Sequence, residues 1–255
     1  MLSDLPSSAF LFDLDGVFYN DTRPIPGGAD VIARLRAQGV AFRFVTNTTS
    51  KGRASLAQKL QSFGISAEPR EIFCPAVAAA VFLREKNASG VFFTTDDTRA
   101  EFDGVREEVT QPDFVVLGDL GDDWTYARLN QGLRYLLGGA RLIALGMSRY
   151  WRADDGPRLD VGPIASAFSY ATSQPPIVLG KPMADFFRLA AHDLHVDPAR
   201  CTMVGDDIVT DIGGAQSAGM RTILVRTGKF MPGDLDSVIK PDRIIDSIAD
   251  LERKA

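Results

Sequence analysis

The sequence has few of the residues on which several common kinds of site depend. Its 255 residues include two cysteines and two histidines. Cys74 and Cys201 lie far apart and outside any CxxC pair, so a cysteine zinc site is excluded and two buried thiols in a reducing compartment are indicated. His192 and His195 are too few for a histidine metal site. We therefore predict a cytoplasmic protein whose chemistry depends on other side chains.

Positive charge and long apolar runs are also scarce. The chain has 28 basic and 33 acidic residues, a net charge of −5, and no basic stripe that could contact a nucleic-acid backbone. No apolar segment approaches the length of a membrane span, and the opening MLSDLPSS lacks the pattern of a signal peptide. We therefore predict neither a nucleic-acid partner nor a membrane partner, and homodimer formation stays open.

Short apolar runs rich in Val, Phe and Ile alternate with helical patterns along almost the whole chain. AFLF (9–12) reads as a strand, a helix covers 27–39, and a second strand covers 40–46. The alternation continues to RTILVR (221–226), after which we predict a C-terminal helix. Alternation of this kind predicts a parallel sheet with helices on both faces, and its length predicts two α/β layers.

Chemically active residues follow four of the predicted strands. If these strands share one sheet, the residues converge on one pocket, because ligands bind outside the carboxyl ends of parallel strands. The four strand ends are Asp13-Leu14-Asp15-Gly16, Thr46-Asn47-Thr48-Thr49, Gly180-Lys181-Pro182 and Gly205-Asp206-Asp207 with Asp211 beyond it.

These residue types together suit phosphoryl transfer. Carboxylates from two strands suit a hard dication such as Mg²⁺, while Thr46, Lys181 and free backbone N–H groups suit a phosphate. Asp13 could then act as a nucleophile, and Asp15 as general acid and later as base. A cation would also relieve the repulsion between these two clustered aspartates.

Each short motif also has a simpler structural explanation. DxDG occurs in turns and calcium loops, TNTTS is typical of a helix N-cap provided by Thr49 or Ser50, GKP is a common helix start, and an acidic GDDIVTD suits the first turn of a helix. What favours a site is the order of the four motifs and the strand that precedes each of them.

The ordered motifs resemble those of the haloacid dehalogenase (HAD) superfamily. Its phosphatases carry DxDG[TV], then a Thr or Ser at a strand end, then a Lys, then an acidic pair. The long insertion between Thr46 and Lys181 resembles the type-C2 cap of subclass IIA, the relatives of NagD and p-nitrophenylphosphatase. The stretch GDDIVTDIGGAQSAGMRTILVRTGKF resembles the phospholysine/phosphohistidine/pyrophosphate phosphatase branch, and Thr46-Asn47-Thr48 replaces the Thr-Asn-Asn of many members.

The resemblance implies a Rossmann-like, doubly wound core of residues 1–76 and 178–255 with an inserted α/β C2 cap of residues 77–177. It implies a Mg²⁺-dependent phosphatase that forms an aspartyl-phosphate and acts on a small phosphorylated metabolite, with selectivity set by the cap. The implied roles are a nucleophile and metal ligand at Asp13, an acid/base with a metal-binding carbonyl at Asp15, phosphate binding at Thr46, Asn47 and Lys181, a metal ligand at Asp206, and support of the metal site by Asp211 and Asp207.

Other functions remain as alternatives. A phospho-accepting receiver module uses the same residue types, but in a different order and in about half this length. Hydrolysis of pyrophosphate or of a P–N bond is a close variant within the same superfamily. A dehalogenase would need neither Asp15 nor Mg²⁺, and a silent scaffold would not need the complete set of residue types.

Overall fold

The computed structural model describes residues 8–153 and 155–251 of the chain. No helix within these two ranges is both long and apolar enough to cross a membrane. The strands, in chain order, are β1 (Ala9–Asp13), β2 (Tyr19–Asn20), β3 (Arg23–Pro24), β4 (Ala41–Val45), β5 (Ile72–Phe73), β6 (Gly90–Phe93), β7 (Phe114–Leu117), β8 (Arg141–Ala144), β9 (Tyr150–Ala153), β10 (Gly156–Leu159), β11 (Ile177–Val178), β12 (Cys201–Gly205), β13 (Arg221–Val225) and β14 (Arg243–Ile245). The α-helices are α1 (Gly28–Ala37), α2 (Arg53–Ser62), α3 (Pro75–Glu85), α4 (Asp96–Arg99), α5 (Tyr126–Leu137), α6 (Val161–Thr172), α7 (Ala184–Asp193) and α8 (Gly214–Ser217).

The chain divides into two compact units. Among the described residues, the first unit contains 8–46, 54–73 and 181–251, and the second contains 47–53, 74–153 and 155–180. The second unit covers the range of the predicted 77–177 insertion and, in addition, residues 47–53, 74–76 and 178–180. Positions 1–7 and 252–255 of the predicted core lie outside the described residues.

The first unit contains a six-stranded parallel sheet with β1 in its interior. The strand order is β14-β13-β12-β1-β4-β5, and every neighbouring pair is parallel. All five residues of β1 are buried, because both of its faces are covered. Phe12 lies opposite Val204 and Phe44 in the register, and these apolar side chains belong to one core cluster. This core fixes the position of the residues that follow β1.

The order of the strands reverses at β1. The chain runs from β1 outward to β4 and β5, and it returns to place β12, β13 and β14 on the other side. Ligand crevices in open α/β sheets form at such a switch point, outside the carboxyl ends of the strands. At this switch point β1 ends with Asp13, and Asp206 follows β12. The topology therefore brings the two predicted carboxylates to the same edge of the sheet.

The second unit has its own parallel sheet. Its strand order is β11-β8-β7-β6, and its core contains buried residues from the sheet and from α6, among them Val115, Leu142 and Phe168. Side chains of Thr125 and Asp160 cap the first turns of α5 and α6 by accepting backbone N–H bonds. A separate two-stranded sheet is formed by the antiparallel pair β9–β10.

Three local predictions are wrong. The strand before Lys181 pairs with β8 in the second unit, so the four strands do not share one sheet. The second helix begins at Arg53, so neither Thr49 nor Ser50 caps it; the Ser50 carbonyl accepts a hydrogen bond from Thr95 instead. The residues after β13 form 3₁₀ turns and the edge strand β14 up to residue 251, where we predicted a C-terminal helix. The apolar run of β14 is too short to distinguish a strand from a helix by periodicity.

Candidate active site

The first part of the site is the turn that follows β1. Asp13 is the last residue of that strand and is 7 % exposed, whereas Asp15 is exposed to solvent. The Asp15 carboxylate accepts the Asp21 N–H at 3.3 Å. Gly16 allows the tight turn, because its φ of 85° lies in the left-handed region, and its N–H donates to the Tyr19 carbonyl at 2.7 Å. The turn therefore buries one carboxylate and leaves the other accessible.

Lys181 joins two buried carboxylates. Its Nζ donates to Asp13 Oδ1 at 2.7 Å and to Asp211 Oδ1 at 2.6 Å, and its side chain is 3 % exposed. Burial alone would lower the pKa of Lys181, but the charges of Asp13 and Asp211 outweigh it and raise the pKa. The ammonium therefore stays protonated and fixes the orientation of Asp13.

Asp206 is the buried carboxylate with an unused oxygen. Its Oδ2 accepts the Lys229 N–H at 2.6 Å, while its Oδ1 has no hydrogen-bond partner among the described residues. Burial and the nearby charge of Asp13 raise the pKa of Asp206 to about 7. A buried oxygen without a partner is costly, which makes this position favourable for a cation.

The other two aspartates of GDDIVTD bind backbone and side-chain donors. Asp207 Oδ1 accepts the N–H groups of Val209 and Thr210 and caps the π-helical turn Ile208–Gly213. Asp211 is fully buried; its Oδ1 binds Lys181, and its Oδ2 accepts the Asp207 N–H at 3.2 Å. Both aspartates therefore already hold local structure, which fits supporting positions better than primary metal ligands.

A group of three carboxylates meets the distance requirement for a metal ion. One oxygen from each of Asp13, Asp206 and Asp211 lies within 4.8 Å of the others, and no second group of this kind occurs in residues 8–153 and 155–251. Mg²⁺ prefers such hard oxygen ligands. The unused Oδ1 of Asp206 and the absence of a Cβ at Gly16, which would collide with Asp206 Oδ2, both fit a bound cation.

The three predicted phosphate-binding residues lie on different segments of the chain. Lys181 lies in the carboxylate cluster just described. Thr46 follows β4 in the first unit, is 6 % exposed, and donates its N–H to the Phe73 carbonyl at 3.3 Å. Asn47 is half-buried and begins the segment 47–53, which belongs to the second unit. The first unit alone therefore brings together Asp13, Lys181, Asp206 and Asp211.

A fifth strand end, outside the four motifs recognised in the sequence, also carries chemistry. Beyond β13, the Thr227 hydroxyl donates to the Gly16 carbonyl, and the Lys229 N–H donates to Asp206. Burial opposes ionisation of Lys229, but the charges of Asp13, Asp206 and Asp207 raise its pKa. The signal was available, because Thr-Gly-Lys follows RTILVR in the same way that the other motifs follow their strands.

Two family models match the chain. A haloacid dehalogenase-like hydrolase model matches residues 10–109, and a HAD-hydrolase-like model matches residues 178–251. The first match contains the turn after β1 and Thr46, and the second contains Lys181 and the acidic pair. The matched ranges thus include every residue of the cluster.

Full-length relatives agree with this assignment. The phospholysine phosphohistidine inorganic pyrophosphate phosphatase of Danio rerio is 36 % identical over 94 % of this chain and 90 % of its own length. The haloacid dehalogenase-like hydrolase domain-containing protein 2 of Bos taurus is 37 % identical over 90 % and 88 %. The p-nitrophenyl phosphatase from Archaeoglobus fulgidus superposes with a TM-score of 0.88 at 30 % identity, covering 96 % of this chain and 98 % of its own. The chain therefore belongs to the haloacid dehalogenase-like hydrolase family.

Proposed function

We propose that this protein is a Mg²⁺-dependent phosphatase that acts on a small phosphorylated metabolite through an aspartyl-phosphate intermediate. It is a hydrolase that acts on phosphoric ester bonds, as its phosphatase-named relatives are. One observation carries the mechanistic proposal. Asp13 is buried and held by Lys181 at 2.7 Å, in a group of carboxylates that also contains the unused Oδ1 of Asp206.

Asp13 and Asp206, together with the backbone carbonyl of Asp15, would hold Mg²⁺. When bound, the ion neutralises the negative charge that develops on the transferring phosphoryl group. Asp211 would support the metal site without binding the ion directly, since both of its oxygens already accept hydrogen bonds. Asp207 would maintain the turn that carries Asp211.

The reaction would then proceed as two successive displacements at phosphorus. A carboxylate oxygen of Asp13 attacks phosphorus, and the bond from phosphorus to the leaving-group oxygen breaks. Asp15 is exposed and lies two residues after the strand end at Asp13, so it can give its proton to the departing oxygen. In the second step Asp15 takes a proton from water, which attacks phosphorus, releases inorganic phosphate and restores Asp13.

Three residues would bind the phosphoryl group. Lys181 would donate to a phosphoryl oxygen while it keeps Asp13 oriented, and Thr46 and Asn47 would donate to the remaining oxygens. Residues 77–177 would act as the cap that selects the leaving group, and residues 1–76 and 178–255 would form the core that binds the phosphoryl group.

The names of the relatives suggest a close variant of the substrate. Those of Danio rerio and Homo sapiens are both named for phospholysine, phosphohistidine and inorganic pyrophosphate, and both align over 94 % of this chain. We include P–N bonds and pyrophosphate among the candidate substrates for this reason. Cys74 and Cys201 are both buried and free, which supports the proposed cytoplasmic location.

The test is phosphate release from p-nitrophenyl phosphate, pyrophosphate and a phosphoramidate, each measured with Mg²⁺ and with EDTA. We expect turnover with Mg²⁺ and loss of turnover with EDTA. Metal-dependent phosphorylation of Asp13 by a small donor without turnover would instead indicate a receiver-like module, and turnover that survives EDTA would contradict the role of Mg²⁺.

A further inference from the structure

The loop after β13 contacts Gly16 and Asp206 through three consecutive residues. The Thr227 hydroxyl donates to the Gly16 carbonyl, and the Lys229 N–H donates to Asp206 Oδ2 at 2.6 Å. Between them, Gly228 has a φ of 64°, and a Cβ at this position would collide with Asp206. The backbone of Lys229 is therefore held in one place beside the metal-binding carboxylate.

The side chain of Lys229 is held much less firmly than its backbone. Its Nζ lies 3.8 Å from Asp207 Oδ2, beyond hydrogen-bond distance, and the side chain is 66 % exposed. Lys181 differs in both respects, with contacts of 2.7 and 2.6 Å and a side chain that is 3 % exposed. One ammonium is thus committed to the carboxylates, and the other can reach a second anion at little cost, because exposed ion pairs contribute only about 0–1 kcal/mol.

We propose that Lys229, a residue of the first unit, contributes to specificity in addition to the cap, by binding an anionic group on the leaving portion of the substrate. This proposal depends on the proposed phosphatase function. The site has five carboxylates, those of Asp13, Asp15, Asp206, Asp207 and Asp211, and one ammonium group committed to them, that of Lys181. A bound dication would still leave an excess of negative charge, so a substrate with a second anionic group needs a further cation. Lys229 is the accessible cation at the edge of this cluster.

The experiment compares two ligands that differ in one anionic group. Inorganic phosphate and methylenediphosphonate, each with Mg²⁺, are titrated by calorimetry into the wild type, Lys229→Gln, Lys229→Arg and Lys240→Gln. Lys240 is an exposed lysine of the same unit whose Nζ donates to the Leu235 carbonyl, so its variant makes the same change in charge elsewhere. Turnover of p-nitrophenyl phosphate by the same preparations tests the proposed function separately.

We expect Lys229→Gln to weaken diphosphonate binding by about 10-fold or more and phosphate binding by less than about threefold, as loss of one charge-assisted contact requires. Lys229→Arg should retain most of the diphosphonate affinity, and Lys240→Gln should match the wild type. Equal weakening of both ligands would mean that Lys229 only orders Asp206, and it would overturn the proposal. An unchanged diphosphonate affinity, or a wild type that does not bind the diphosphonate, would also overturn it.

Discussion

Both units of this protein contain a parallel sheet, but the side chains at the strand ends are used differently. In the four-stranded sheet, Thr95 follows β6 and caps α4, and Asp119 follows β7 and accepts the nearby Gly121 N–H at 2.8 Å. In the six-stranded sheet, Asp13 and Asp211 meet at Lys181, across separations of 168 and 30 residues. Thr95 and Asp119 each accept a backbone N–H of their own turn, whereas Asp13, Asp211 and Lys181 form a cluster that no local turn requires.

The difference shows that the carboxyl edge of a parallel sheet is not by itself an active site. Clustered buried charges distinguish the edge of the six-stranded sheet from that of the four-stranded sheet. Burying like charges close together destabilises a fold unless a cation or a proton compensates them. The cluster has that cost, since Asp206 keeps a buried oxygen without a partner among the described residues and a pKa raised to about 7 by burial and by Asp13. Buried carboxylates with strongly shifted pKa values are concentrated at functional sites, where their charge is needed for binding or catalysis.

The largest expected effect separates the two kinds of strand end. Asp13→Asn keeps the shape of the side chain but removes the proposed nucleophile, so we expect kcat to fall by about 10³-fold or more. Asp119→Asn is the matched change after β7, where the amide oxygen can still accept the Gly121 N–H, and we expect activity within about threefold of the wild type. Phosphate release under saturating Mg²⁺ measures both variants. Comparable losses in the two would remove the distinction drawn between the sheets.

A smaller effect should separate the two edges of the six-stranded sheet. Gly16 lies at the carboxyl edge with a φ of 85°, and an added Cβ would collide with Asp206. Gly39 lies before β4 with a φ of 65°, and a Cβ there has no atom within 4 Å. We expect each Ala variant to lose about 1–2 kcal/mol of stability, because both need a left-handed backbone.

Only Gly16→Ala should also damage the site, and we expect it to weaken Mg²⁺ affinity by about 10-fold or more, as displacement of one carboxylate ligand would. Urea denaturation measures the stability of both variants, and the dependence of activity on Mg²⁺ concentration measures the affinity. Normal Mg²⁺ dependence in Gly16→Ala would show that the contact with Asp206 relaxes without consequence.

The sequence allowed much of this site to be predicted, because a strand end can be recognised locally. The position of Asp13 after AFLF and that of Asp206 after CTMVG are local patterns, and the structure keeps both. Which sheet a two-residue strand joins is decided by its partners, so the condition that the strand before Lys181 shares a sheet with the other three could not be checked from the sequence, and the structure does not meet it. Lys229 was missed because its main contact uses the backbone N–H, which every residue except proline provides.

A third prediction concerns the free energy of unfolding of the metal-free protein. Asp206 keeps its proton up to about pH 7 in the folded state, whereas the unfolded chain loses it near the ordinary value of 3.8. Between these values the folded state binds more protons, so this group stabilises the fold below about pH 4, and its contribution is lost as the pH rises through 7. Between pH 5 and pH 7.5 we expect a loss on the order of 2 kcal/mol.

Urea denaturation in EDTA at pH 5 and pH 7.5 measures this loss, and Asp206→Asn supplies the control because an amide does not titrate in this range. The wild type should lose more stability than Asp206→Asn between the two pH values. Saturating Mg²⁺ should reduce the difference, since it binds the ionised carboxylate and stabilises the folded state. Equal pH dependence in the two proteins would show that the carboxylate cluster is compensated without a metal, and the contrast between the two sheets would then rest on catalysis alone.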